Sequence, residues 1–238
     1  MSTFRFQQFS VHQEKSAMKV CTDATLFAAM APVKGGEQVL DIGTGTGLLA
    51  LIAAQLGASH VTGVELTEED FDEARINFFN SPWSERLIAL HGSIQHFSGN
   101  TLNRYDLIIS NPPFFHNPSK ASDKLRRQAR HADLLPFPEL IECVDRLLGA
   151  CGLFYLLLPC HAVAGFSGMA LERGLHLIAQ TDLRGHSHNQ AKVSALTFSR
   201  QMQPFRFRLL TIYQSDRVYS KVSEHYLSPF LLRFAKHT

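Results

Sequence analysis

The chain has 238 residues, 45% of them hydrophobic, and 23 basic against 21 acidic side chains leave a net charge of +2. That length suits one large domain or two small ones with a sizeable core, and the charge is too near neutral to argue for a nucleic-acid partner by itself. No apolar run approaches the ~18 residues of a membrane span, and Met1-Ser2-Thr3-Phe4-Arg5-Phe6-Gln7 lacks the apolar stretch of a secretory signal, so a cytoplasmic protein is expected.

Along the chain, residues 36 to 160 alternate strand-like and helix-like segments, the pattern of an α/β fold with a parallel sheet covered by helices. Strands are expected at Gln38–Ile42, His60–Glu65, Arg86–Leu90, Tyr105–Ser110 and Gly152–Leu158. Between them, Leu48–Leu56 reads as a helix stopped by Gly57. Thr67 stands where it can cap a second helix that has Glu68, Glu69 and Asp70 in its first turn and runs to about Asn80. Further helices are expected at Pro138–Leu148 and His161–Arg173. Strands follow at Leu175–Thr181, Val193–Ser199 and Phe205–Tyr213. Phe115 to Leu135 is the one long irregular segment, a length of loop that is usually functional or mobile.

Cysteines 21, 143, 151 and 160 form no Cys-x-x-Cys and stand beside no histidines at zinc-ligand spacing. Buried free thiols and no metal are expected. His186 and His188 alternate in a loop and read as solvated or substrate-facing.

The first strand runs into Asp41-Ile42-Gly43-Thr44-Gly45-Thr46-Gly47, whose glycines permit a tight turn and close backbone approach to a ligand. Glu65 ends the second strand, 20 residues after Gly45, where a carboxylate can accept hydrogen bonds from a ribose diol. Alone, this pattern serves a nicotinamide, a flavin or S-adenosylmethionine. The G-x-G-x-G spacing and the acid Asp41 before it favour S-adenosylmethionine, which has no pyrophosphate to seat but carries an ammonium and a sulfonium.

Asn111-Pro112-Pro113-Phe114 follows the fourth strand. The prolines end the strand and stiffen the chain. They leave an amide, a fixed carbonyl and a ring at the edge where open α/β sheets bind ligands. The Asn111 amide oxygen and the Pro112 carbonyl suit the two N–H groups of an exocyclic amine, and Phe114 suits stacking on its base. Beyond lie five cations, Lys120, Lys124, Arg126, Arg127 and Arg130, against the single acid Asp123. The patch reads either as a solvated polar face or as a phosphate contact beside the site.

Asp41-Ile-Gly-Thr-Gly-Thr-Gly, Glu65 and Asn111-Pro-Pro-Phe, in that order, resemble the class I, Rossmann-like methyltransferases that act on amino groups. Phe9-Ser-Val-His-Gln-Glu-Lys-Ser-Ala-Met-Lys-Val-Cys-Thr-Asp makes the chain similar to the bacterial enzymes that methylate N6 of adenine-37 in the valine tRNA. The resemblance covers nearly the whole chain, including Gln128-Ala129-Arg130-His131. It implies a mostly parallel seven-stranded sheet with an antiparallel seventh strand and helices on both faces. It also implies a lid over residues 1–35, a core over 36–200 and an extension over 201–238 in a single methyltransferase domain.

By the same resemblance, S-adenosylmethionine would be held by Thr22, Asp23, Asp41, Gly43, Thr44, Gly45, Gly47, Glu65, Leu66, Ser93, Ile94 and Asn111. Asn111, Pro112, Pro113 and Phe114 would carry the chemistry on the anticodon loop of a tRNA, without a metal. The resemblance makes Lys124, Arg126, Arg127 and Arg130 the candidate RNA contacts, with Lys15 and Lys19 as weaker ones. The chain departs from the family at Cys21 and Ala24, where glycine is usual, and at Ser93, where an acid usually holds the adenine amino group of the cofactor. The same motifs serve guanine-N2 methyltransferases of ribosomal RNA and glutamine-N5 protein methyltransferases. A non-catalytic RNA-binding protein of this fold is the reading from another class.

Overall fold

The computed structural model describes residues 2–16, 18–112 and 135–235. The chain opens with a short antiparallel hairpin, β1 (Thr3–Arg5) with β2 (Ser10–His12). Helix α1 (Thr22–Ala29) follows, then β3 (Gln38–Ile42), α2 (Leu48–Leu56), β4 (His60–Glu65) and α3 (Glu68–Phe79). Next come β5 (Leu87–His91), α4 (Ile94–Asn100), β6 (Tyr105–Ser110), α5 (Phe137–Leu147), β7 (Leu148–Pro159) and α6 (Val163–Glu172). The chain continues through β8 (His176–Arg184), β9 (Val193–Ser199), β10 (Arg206–Thr211), a hairpin of β11 (Tyr213–Ser215) and β12 (Val218–Tyr219), and α7 (Lys221–Leu227).

One sheet organises these elements, in the order β10-β8-β9-β7-β6-β3-β4-β5. β9 is antiparallel to both of its neighbours and every other pairing in the sheet is parallel. The expected α/β class and antiparallel strand are present, but the sheet has eight strands where seven were expected. The eighth is β10, drawn from the extension, which covers the edge of β8 in parallel register. An uncovered β8 would leave its ladder groups open to other chains.

Strand periodicity sends successive side chains to opposite faces. On β6, Leu107 and Ile109 enter the core layer shared with α1, α2 and α3, while Ile108 enters the layer shared with α5 and α6. Strands buried on both faces read as continuous apolar runs, which is why β6 was legible.

Three helices escaped the sequence reading: α1, α4 and α7. α1 is buried at every position from Ala24 to Ala29, so it shows no amphipathic period. It is pinned to the sheet by Phe27, which stacks on Tyr155 of β7 with centroids 4.3 Å apart and planes at 7°. The Tyr155 hydroxyl also donates to the Phe27 carbonyl at 3.1 Å. Such a ring pair contributes ~0.5–1.5 kcal/mol beyond its buried area. α4 has only seven residues and begins at Ser93, whose hydroxyl accepts from the His96 backbone N–H at 3.1 Å. Boundaries also moved: β7 starts at Leu148, a 3-10 turn at Cys160–Ala162 precedes α6, β8 runs on to Arg184, and the expected strand to Tyr213 ends at Thr211.

Residues 228–231 also fasten the N-terminal segment. Gln7 donates its side-chain amide to the carbonyls of Ser228 at 2.7 Å and Leu231 at 2.8 Å, and its backbone N–H to Phe230 at 2.8 Å. Among the described residues no helix is long and apolar enough to cross a membrane.

Candidate active site

β3, β4, β5 and β6 run parallel, so their carboxyl ends share one edge of the sheet. The chain builds outward from β3 to β5, then returns to place β6 on the other flank of β3. Such a reversal of strand order opens a crevice at the carboxyl edge, where ligands of open α/β sheets bind. A cavity lies there. Its walls are Gly43, Thr44 and Gly45 after β3, Glu65 and Leu66 at the end of β4, Ser93 and Ile94 after β5, and Asn111 and Pro112 after β6.

The turn after β3 is held against β4, since the N–H groups of Gly43 and Thr44 both donate to the Val64 carbonyl at 2.9 and 3.1 Å. Gly43, Gly45 and Gly47 adopt φ of +69°, +56° and +84°, a region that strains side-chain-bearing residues. Gly47 does not line the cavity. It begins α2, and a Cβ there would stand 2.4 Å from the Phe78 ring, so the position admits no side chain without movement.

Asp41 also stands behind the wall, 1% exposed. One carboxylate oxygen accepts from the Thr44 hydroxyl at 2.6 Å, which braces the turn, and the other has no hydrogen-bond partner. Burial pushes its carboxyl up to about 7, against a smaller opposing pull from the Thr44 hydroxyl and the Ala50 backbone amide.

Glu65 is 8% exposed and held from several sides. Its Oε2 accepts from the Gly45 N–H at 2.9 Å. Its Oε1 accepts from the N–H groups of Leu66 and Thr67 at 2.8 and 2.9 Å and from the Thr67 hydroxyl at 3.0 Å. The carboxylate is therefore fixed in orientation, with capacity left on Oε2. Thr67 was expected to cap α3. It occupies the N-cap position without a side-chain cap, because its hydroxyl is drawn to Glu65 and to Asp70 at 3.1 Å.

Asn111 leaves β6 beside Ser110, whose hydroxyl donates to the Ile42 carbonyl at 2.9 Å and ties the ends of β6 and β3 together. No described residue hydrogen-bonds the Asn111 side chain, and Asn111 and Pro112 both face the cavity. Pro113, Phe114, Lys124, Arg126, Arg127 and Arg130 lie outside the described residues.

Thr22 and Asp23 do not line this cavity, although Val20 and Ala24 on either side of them do. Thr22 lines an adjoining cleft, with its hydroxyl 3.0 Å from that of Tyr213. Burial pushes the Asp23 carboxyl up, with the Lys192 charge opposing.

Sequence reading missed how the N-terminal segment is fastened over the cavity, where Ser16, Met18 and Lys19 also form wall. Two buried polar side chains on α3 do this. Glu73 accepts from the N–H groups of Lys15 and Ser16 at 2.6 and 3.1 Å. Asn77, one turn on, brackets the His12 backbone. An acid and an amide at (i, i+4), beside the core residues Ala74 and Phe78, were the available signal.

The cysteines are free, but only Cys143 is buried, while Cys21 and Cys151 are exposed. No cluster of three or more metal-ligating side chains occurs among the described residues.

The chain is 40% identical over 220 residues, 92% of its own length and 94% of the other, to the tRNA1(Val) (adenine(37)-N6)-methyltransferase of Flavobacterium psychrophilum. The chain belongs to that methyltransferase family. The Yersinia enterocolitica member is 36% identical over 97% of this chain and 93% of its own. A family model for ribosomal protein L11 methyltransferase matches residues 19–112, the stretch that carries the glycine turn, Glu65 and Asn111. Among solved structures, a predicted O-methyltransferase from Agrobacterium tumefaciens superposes with a TM-score of 0.64 at 17% identity. That match covers 90% of this chain and 97% of the other, and it shows the fold that the family shares with other methyltransferases.

Proposed function

We propose that this protein transfers a methyl group from S-adenosylmethionine to the exocyclic N6 of adenine-37 in tRNA1(Val), in the cytoplasm. The observation that carries the reading is the meeting of Asn111 and Pro112 with Glu65 and the glycine turn on one cavity, in a chain of this family. The donor set fits the cofactor. Glu65 offers an oriented carboxylate to a ribose diol, Leu66 and Ile94 offer apolar contact to a flat base, and the backbone of Gly43 to Gly45 permits close approach. Ser93 would face the amino group of that base. The buried acid Asp41, behind the cavity wall with one unpartnered oxygen, would favour a cationic amino-acid part of the cofactor. Gly47 would shape the turn, and Thr22 and Asp23 would act beside the cavity, on the lid that residues 1–35 form over the core.

The bound cofactor supplies an electrophilic methyl group carried on a sulfonium. The protein's own task is to make a poor nucleophile ready. The N6 lone pair of adenine is delocalised into the ring. Asn111 Oδ1 and the Pro112 carbonyl would accept one N–H each and favour the tetrahedral geometry in which that pair is localised. The stabilisation from these two acceptors would fall on charge that develops only as the methyl moves, and alignment would account for much of the remainder. Pro113 would stiffen the turn and Phe114 would stack on the base, worth ~1–3 kcal/mol. An anticodon-loop adenine is already unpaired, so extruding it costs less than from a duplex. Lys124, Arg126, Arg127 and Arg130 would hold the flanking phosphates.

The test is methyl transfer from labelled S-adenosylmethionine to tRNA lacking the modification, with the labelled nucleoside mapped. Asn111→Ala is expected to lower kcat at least ~100-fold while cofactor affinity stays within about threefold. Label on guanine, or on a glutamine-bearing protein but not on tRNA, would overturn the assignment.

A further inference from the structure

A row of rings runs along the same sheet edge as the candidate site. His188 lies parallel to His186, with centroids 5.6 Å apart and planes at 5°. His186 stands 5.5 Å from Tyr213, and Tyr213 stacks 5.2 Å from Tyr219 at 18°. The topology sets this placement. β7 and β8 are both antiparallel to β9, and β10 is parallel to β8. The ends of β8 and β10, after which His186 and Tyr213 come, are therefore on the edge that holds Asn111. The contact between the hydroxyls of Tyr213 and Thr22 joins the row to the segment whose Val20 and Ala24 line the cavity.

Arg233 meets the backbone of Arg217 at the far end. Arg233 lies over the Tyr219 ring, 5.1 Å from its centroid, and donates to the Arg217 carbonyl at 3.0 Å. Arg217 sits in the turn between β11 and β12 with φ of +56°, a left-handed backbone where glycine or asparagine is easier. Among the described residues neither guanidinium is held in an ion pair, although Asp216 precedes Arg217 in the turn, so both are available to phosphates. His188, Arg217 and Arg233 are exposed, and the row is open to solvent at the His188 end.

We propose that this row is a second RNA contact surface, taking single-stranded nucleotides that flank the methylated adenine. His188, at the exposed end of the row, stacks a base, the rings behind it brace that face, and the two arginines hold phosphates. A braced stack of rings with an exposed ring at its end, in series with unpaired guanidiniums, is a combination that suits single-stranded nucleic acid. The proposal rests on the RNA substrate argued above.

Two variants test it with little risk to folding, because His188 is exposed and Arg217→Gly relieves the left-handed backbone. Binding of an anticodon stem-loop RNA is titrated over a salt series, with cofactor affinity measured alongside. His188→Ala is expected to weaken RNA binding about fivefold or more with an unchanged salt slope. Arg217→Gly is expected to weaken binding and to shrink the slope by ~0.7–0.9, one phosphate contact. Both should raise KM for RNA and leave kcat and cofactor affinity as in the wild type. Wild-type affinity and slope in both variants, from a wild-type enzyme that methylates the RNA, would overturn the surface alone. A wild-type enzyme that methylates no tRNA would overturn the function on which it rests.

Discussion

Asn77 and Thr46 are joined across two elements: the Asn77 amide, on α3, donates to the Thr46 carbonyl in the glycine turn at 2.8 Å. The same side chain accepts from the His12 N–H at 2.7 Å and donates to the His12 carbonyl at 2.9 Å. A single residue, 3% exposed, thus holds the N-terminal strand against the turn that shapes the cavity. Asn77→Ala leaves one N–H and two carbonyls without their partner, at ~1–3 kcal/mol for each group that stays buried. A loss of about 3 kcal/mol or more in urea unfolding is expected, together with weaker S-adenosylmethionine binding by calorimetry. A variant that unfolded at the wild-type urea midpoint would show that the clasp holds nothing.

Ser93 serves α4 as its cap, so its substitutions separate stability from binding. Aspartate caps as well as serine, and it adds a charged acceptor facing the cavity. Ser93→Asp is expected to keep unfolding stability within ~0.5 kcal/mol and to tighten cofactor binding about threefold to tenfold. Ser93→Ala is expected to cost about 1 kcal/mol through the lost cap. Calorimetry with S-adenosylmethionine decides the first point, and no gain for the aspartate variant would remove Ser93 from the base-binding wall.

Asp41 makes stability depend on pH. Its carboxyl titrates at about 7 in the fold against an ordinary value of 3.8. As pH rises, the unfolded chain loses this proton first, so the folded state binds more protons between about pH 4 and 7 and its stability falls through that window. Below it, Asp41 is protonated in both states and the penalty vanishes. Asp41→Asn keeps an acceptor for the Thr44 hydroxyl and removes the titration. Relative to wild type, the variant should gain a few kcal/mol between pH 5 and pH 8 in paired urea titrations. A difference that stayed flat across those pH values would mean that the carboxyl titrates normally.

Much of the parallel core was legible because its strands are buried on both faces and its turns have few chemical solutions. Leu107 to Ile109 reads as an unbroken apolar run, and Val39, Leu40 and Ile42, with Val61 and Val64, mark β3 and β4 as β-branched or aliphatic segments. The glycines after β3 announced a backbone that other residues resist. The prolines after Asn111 announced a strand end. α1 was illegible because uniform burial erases the periodicity that marks a helix, and α4 because it is too short to express one.

The sequence alone determined the chemistry on offer: an acid 20 residues beyond Gly45, and an amide followed by prolines. Local backbone preferences act through neighbours in the chain, so they can be read from it. Only the tertiary structure decided which groups meet. Strand order brings Glu65, Ser93 and Asn111 to one cavity, leaves Thr22 and Asp23 beside it, and sets Asn77 against both His12 and Thr46. Those meetings depend on packing between distant segments, where a buried polar group must find a partner wherever the fold supplies one.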